Sequence, residues 1–130
     1  MITDHLVTPD NVALATTSCG DGDPVIFLHA AVADSRMWRA QLEGLSETRH
    51  AIAFDRRGFG RTAGSPGDYS SLADLATIVD AKANGTPAAL VGCSQGGRIA
   101  LDFTLRYPDR VSTLILIAPN VSGSPAPSYP

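Results

Sequence analysis

In Ala89-Leu90-Val91-Gly92-Cys93-Ser94-Gln95-Gly96-Gly97-Arg98-Ile99-Ala100, a serine stands with glycine two residues to either side, after a short apolar run and before a helical one. A serine on a very tight strand-to-helix turn must take a strained backbone conformation, and Gly92 and Gly96 remove the Cβ atoms that would collide there. Such a turn lifts the Ser94 hydroxyl clear of the sheet. It also aims the free N–H groups of the following helix at the same spot, where a developing oxyanion would be stabilised. The chemistry implied is nucleophilic attack by Ser94. A bare GxSxG also arises by chance or in a purely structural turn, and the flanking strand and helix weigh against both. A dinucleotide cradle would use Gly92, Gly96 and Gly97, but it needs a glycine where Arg98 stands and normally follows the first strand of its sheet.

A serine hydroxyl is a poor nucleophile until a base takes its proton, usually a histidine oriented by a carboxylate. On this kind of turn the chain order is Ser, then Asp or Glu, then His. After Ser94 the only carboxylates are Asp102 and Asp109, and no histidine follows. Asp102 is spaced for pairs with Arg98 and Arg106. Asp109 opens the turn before the last strand. His5, His29 and His50 all precede the serine. The expectation is that acid and base lie outside these residues.

The elements that must position Ser94 read from periodicity. Asn11 to Ser18, Val25 to His29, Ala51 to Asp55, Ala88 to Gly92 and Val111 to Ala118 are short apolar or alternating runs, bounded by Gly, Pro or Asp, and predict strands. The last four are nearly all apolar, as strands buried on both faces are, and the first alternates like an antiparallel or edge strand. Three helical stripes lie between them: Trp38, Leu42 and Leu45; Leu72, Leu75, Ile78 and Val79; Ile99, Phe103 and Tyr107. Alternating strand and helix with right-handed crossovers gives an α/β fold, a three-layer α/β/α sandwich on a mostly parallel sheet. Ser122 to Pro130 reads as a loop or loose end.

The 130 residues carry a net charge of -3, with 44% hydrophobic and 18% charged, the balance of one ordinary soluble domain. The scattered basic residues exclude a nucleic-acid or anionic-membrane surface. No apolar run approaches the roughly 18 residues of a membrane span. Met1 to His5 lacks the start of a secretory signal, which predicts a cytoplasmic address. Cys19 and Cys93 have neither metal nor disulfide-framework spacing, and no His and carboxylate cluster implies a metal or other cofactor.

Two further segments join the serine motif: Phe27-Leu28-His29-Ala30-Ala31 with Trp38 beyond it, and Phe54-Asp55-Arg56-Arg57-Gly58-Phe59-Gly60-Arg61-Thr62. In this order the three resemble the α/β-hydrolase superfamily, in particular its small esterase, haloperoxidase-like and carbon-carbon-bond hydrolase branch. The resemblance covers Val12 to Ala118 and includes Tyr107-Pro108-Asp109-Arg110-Val111. It implies that Ser94 is the nucleophile, and that the backbone N–H groups of Ala31 and Gln95 form the oxyanion hole. It also implies that His29 orders the oxyanion loop through backbone hydrogen bonds. Asp55 is expected to organise its own loop, pairing with Arg57 or capping the Gly58 turn. Trp38 and Met37 read as core and pocket wall, and Cys93 as packing. Relatives usually have a glycine in the Ala30-Ala31 pair. Relatives that open epoxides or haloalkanes carry Asp at the position of Ser94.

The resemblance implies a serine hydrolase acting on a small-molecule ester or related bond. Residues 1–130 are then the N-terminal portion of one hydrolase domain, with lid and C-terminal part absent. The rival reading is a non-catalytic module that binds a small ligand or a partner chain. Either way, Leu114 to Ile117 reads as a central strand with nothing after it to cover its edge. Strand 111–118 is therefore expected to recruit a second copy or a C-terminal partner.

Overall fold

Period-two alternation decides which side chains of the middle strands face which layer. In Pro24–Leu28, Ile26 and Leu28 point to one side of the sheet and Val25 and Phe27 to the other, and all four are buried. The computed structural model describes residues 1–120; the stretch Ser122 to Pro130 lies outside them. The strands are β1 (Ile2–Val7), β2 (Ala13–Cys19), β3 (Pro24–Leu28), β4 (His50–Phe54), β5 (Ala88–Cys93) and β6 (Val111–Ile117). They form one sheet in the order β1-β2-β4-β3-β5-β6. β4, β3, β5 and β6 run parallel, and β2 is antiparallel to both β1 and β4.

The helices are α1 (Arg39–Leu45), α2 (Ser71–Ala83) and α3 (Gln95–Arg106), with a 3-10 turn over Ser35–Trp38 leading into α1. On one face Leu75, Ile78 and Val79 of α2 and Ile99, Ala100 and Phe103 of α3 pack on Ile26, Leu28, Ile52, Phe54 and Leu90. On the other, Trp38 and Leu42 cover Val25, Phe27, Ala51, Ala53 and Val91. The result is the expected three-layer sandwich. α2 is capped by Ser70 Oγ, which accepts from the Ala73 N–H at 3.1 Å, and ends at Asn84 in the left-handed region. Among the described residues no helix is long and apolar enough to cross a membrane.

Two expectations are corrected. The sheet begins with β1, which periodicity did not flag. Its residues are almost all exposed, so no apolar alternation marks it, and of the two settings expected for β2 the antiparallel one holds while the edge one does not. β6 is not buried on both faces. Val111, Leu114 and Leu116 pack against the α3 side, whereas Ile115 and Ile117 are about half exposed. They line an open apolar groove of about 580 Å³ with Phe27, Trp38, Leu45 and Val91. An apolar strand is buried only where something described lies on it, and α1 reaches no further than the middle of the sheet.

The two faces should therefore respond differently to truncation. Ile78 is 0% exposed and Ile115 49%. Ile78→Ala is expected to cost about 2 to 5 kcal/mol of stability and Ile115→Ala about 0.5 kcal/mol or less. Urea unfolding of the two variants checks the contrast.

Candidate active site

The chain turns from β5 into α3 in one residue, and Ser94 is that residue. It lies at φ 53 and ψ -116, a left-handed conformation that costs a non-glycine residue energy. Backbone on both sides holds it there. The Ser94 N–H donates to the Ile117 carbonyl at 2.9 Å, and the Ser94 carbonyl accepts from the N–H groups of Arg98 and Asn120, each at 3.1 Å. The end of β6 thus clasps the turn through residues 117 and 120. The hydroxyl makes no helix-capping hydrogen bond and is partly exposed.

The two glycines of the motif are required by close approach. A Cβ on Gly92 would lie 2.5 Å from the Gly96 carbonyl oxygen. A Cβ on Gly96 would lie 2.4 Å from the Leu28 oxygen and 2.6 Å from the His29 oxygen. The first turn of α3 therefore rests directly on the backbone where β3 ends, which brings the serine turn to the loop that begins at His29.

His29 organises that loop. Its ring is fully buried. The Arg56 N–H donates to Nε2 at 3.0 Å, which makes Nε2 the acceptor and leaves the proton on Nδ1, 2.7 Å from the Ala30 carbonyl. The Ala30 carbonyl belongs to the same trans peptide as the Ala31 N–H, so fixing one fixes the direction of the other. Among the described residues neither the Ala31 nor the Gln95 N–H donates to a backbone carbonyl. Neither Ala30 nor Ala31 lies at positive φ, so alanine fits here without backbone strain.

Asp55 is tied differently from the expectation. Its oxygens accept from the Ser35 N–H at 2.7 Å and the Arg61 N–H at 3.0 Å, so it binds the loop after β4 to the turn before α1. Arg57 points instead between Asp10 and Asp74, donating to each at 2.7 to 3.1 Å. Thr62 accepts from the Ala15 N–H and donates to the Asp55 carbonyl, which closes the loop onto β2. Trp38 is core, as read, while Met37 is exposed and lines an open cleft of about 670 Å³ with Ala31, Gly58 and Phe59. Cys93 is partly buried against the α1-side core.

The three histidines fall in different places. His5 lies on β1 and His50 begins β4, at the end of the strand away from the Ser94 turn. His29 has both ring nitrogens engaged with backbone. Among the described residues no group of three or more His, Cys, Asp or Glu is placed to hold a metal ion. Arg56, to which the sequence assigned nothing, reaches Gln95: its Nη2 donates to Gln95 Oε1 at 2.9 Å. The residues are 39 apart, and no spacing rule links them.

Residues 23–130 match the alpha/beta hydrolase fold family. The chain belongs to that family. It is 38% identical over 105 residues to a 2-hydroxy-6-oxo-2,4-heptadienoate hydrolase of Pseudomonas putida, covering 75% of this chain and 38% of that one. Among solved structures, it is similar to a thermophilic esterase from Thermogutta terrifontis, at TM-score 0.82 and 32% identity, over 92% of this chain and 46% of that one. An esterase from Exiguobacterium antarcticum matches at TM-score 0.83 and 28% identity, over 91% and 46%. The chain thus spans less than half the length of these alpha/beta hydrolases.

Burial holds His29 below the ordinary imidazole value of 6.5, and the Arg56 charge adds to this against the hydrogen bond from Nδ1. His50 is lowered too, chiefly by burial. With the folded value below the unfolded one, the unfolded chain takes up more protons between the two. The stability tied to neutral His29 is thus present above pH 6.5 and is lost as pH falls below it. The denaturant midpoint is expected to drop from pH 7 to pH 5, and His29→Asn to flatten part of that slope. A midpoint that rises toward pH 5 contradicts this.

Proposed function

We propose that the chain carries the nucleophile half of a serine hydrolase acting on a small-molecule ester or related bond. The observation that carries this is Ser94. It is held at strained φ at the C-terminal end of a parallel strand, with its hydroxyl making no helix-capping hydrogen bond and the first turn of α3 seated on the His29 loop. Ligands of open α/β sheets bind at that end. Ser94 Oγ attacks the acyl carbon and gives its proton to a base as the new C–O bond forms. The carbonyl oxygen becomes an anion facing the Ala31 and Gln95 N–H groups. Its collapse expels the alcohol, which takes a proton, and water then releases the acid and regenerates Ser94. Base and acid are assigned to residues outside these 130, since His29 is spent on backbone. The similarity to two esterases and a 2-hydroxy-6-oxo-2,4-heptadienoate hydrolase supports the hydrolase class and leaves the bond open.

Turnover of p-nitrophenyl acetate by the protein expressed from its complete gene tests the reading. Ser94→Ala is expected to lower kcat by at least about a thousandfold. Unchanged turnover in the variant overturns it. The engagement of both His29 ring nitrogens by backbone, with His5 on β1 and His50 at the far end of β4, favours the second reading, a non-catalytic module for a small ligand or partner chain. A fluorophosphonate that never labels Ser94 in a folded protein would select it.

The edge of β6, which carries no strand among the described residues, is proposed to take a further strand, from a second copy or a C-terminal partner. Residues 1–130 alone are expected to sediment as oligomers, and Ile115→Lys with Ile117→Lys to shift them toward monomer. Equal sedimentation of both contradicts the edge as the contact.

A further inference from the structure

Two neighbouring arginines after β4 are treated in opposite ways. Arg57 is buried between two carboxylates, Asp10 and Asp74. Arg56 is 8% exposed and has no carboxylate in ion-pair distance among the described residues. Its guanidinium lies 4.8 Å from the Phe59 ring centroid. Among the described residues its one side-chain hydrogen bond runs from Nη2 to Gln95 Oε1, and its Nε is buried with no partner. Burying a cation without a counter-charge lowers stability. A cost of that kind, standing beside the candidate nucleophile, is the signature of a group kept for function.

Arg56 is linked to both proposed oxyanion donors, to one through its side chain and to the other through its backbone and the His29 ring. Its side chain holds Gln95, whose backbone N–H is the first donor. Its backbone N–H fixes His29 Nε2, and His29 Nδ1 in turn holds the Ala30 carbonyl, the other end of the peptide that carries the Ala31 N–H. Among the described residues no carboxylate lies within ion-pair distance of its charge, and screening is weak in a buried site. We propose that Arg56 is a positioning residue of the oxyanion site, which holds Gln95 through its guanidinium and supplies a positive field, unpaired with any described carboxylate, that favours the tetrahedral anion. This rests on the reading of Ser94, Ala31 and Gln95 given above.

The test compares Arg56→Met and Arg56→Lys with the wild type in the protein expressed from its complete gene. Arg56→Met is expected to lower kcat for p-nitrophenyl acetate about tenfold, less than removal of a direct donor, with KM within about twofold and Tm equal or higher. Arg56→Lys, which keeps the charge, should recover most of the kcat. Phenylboronic acid forms a tetrahedral anion on a serine without turnover, and its Kd should weaken about tenfold in Arg56→Met and recover in Arg56→Lys. A lowered Tm with kcat per folded molecule and boronate Kd unchanged assigns Arg56 to structure alone and overturns the inference. Ser94→Ala separates the two failures. If it abolishes turnover and boronate binding while Arg56→Met changes neither, only the Arg56 inference falls. If the wild type shows neither activity nor boronate binding, the reading of Ser94 falls and the inference with it.

Discussion

The arrangement depends on one contact, the seating of the first turn of α3 on the last carbonyls of β3. At Gly96 the two backbones lie so close that a Cβ would stand 2.4 Å from the Leu28 oxygen, nearer than any Cβ tolerates. Because β3 and β5 are hydrogen-bonded neighbours in parallel register, this approach places the serine turn and the His29 loop side by side. Larger residues at 92 or 96 would push the turn off the sheet and separate nucleophile from loop. Strain at Ser94 is the other side of that close fit. It is maintained because Ile117 and Asn120 grip the residue from both sides through the backbone.

Around that contact, polar groups are buried in a pattern that fixes loops instead of filling a core. Asp55 spans from the Ser35 N–H to the Arg61 N–H, and Thr62 passes one hydrogen bond from Ala15 to Asp55. Arg57 ties the β1–β2 turn at Asp10 to α2 at Asp74. Removing one member of such a set leaves the others buried and unpaired, so each is held by all. Arg56 stands apart because, among the described residues, no carboxylate pairs with it. The contrast between the two arginines separates what the loop needs to keep its shape from what the site can use.

Much of this was legible in the sequence, for identifiable reasons. Runs such as Val25 to Leu28 have only one low-energy setting, the middle of a covered sheet, and the Gly92 to Gly96 pattern answers a steric demand that few other turns make. The rest depended on long-range partners. β1 escaped because an exposed edge strand needs no apolar face. β6 was misplaced because apolar composition records what a strand can bury, while burial also requires a covering element. Nearness in sequence offers Asp55 either Arg57 or the Gly58 turn, yet the backbone turns Arg57 toward Asp10, 47 residues away. Arg56 carried no signal, since its partner Gln95 comes from a different strand-helix unit.

The half-covered β6 bears on the site itself. The strand that supplies the Ile117 carbonyl to Ser94 is the same one whose outer edge has no described neighbour. Its inner side is held by β5 and by α3, through Val111, Leu114 and Leu116. Its other face, with Ile115 and Ile117, meets the open groove. An edge strand opens more readily than a central one, because its backbone groups are paired on one side only. Fraying of β6 at its C-terminal end would release the Ser94 N–H and relax the strained φ. Whatever settles on the β6 edge and the groove beneath it therefore acts directly on the backbone of the candidate nucleophile, so covering the sheet and setting the site are one physical event.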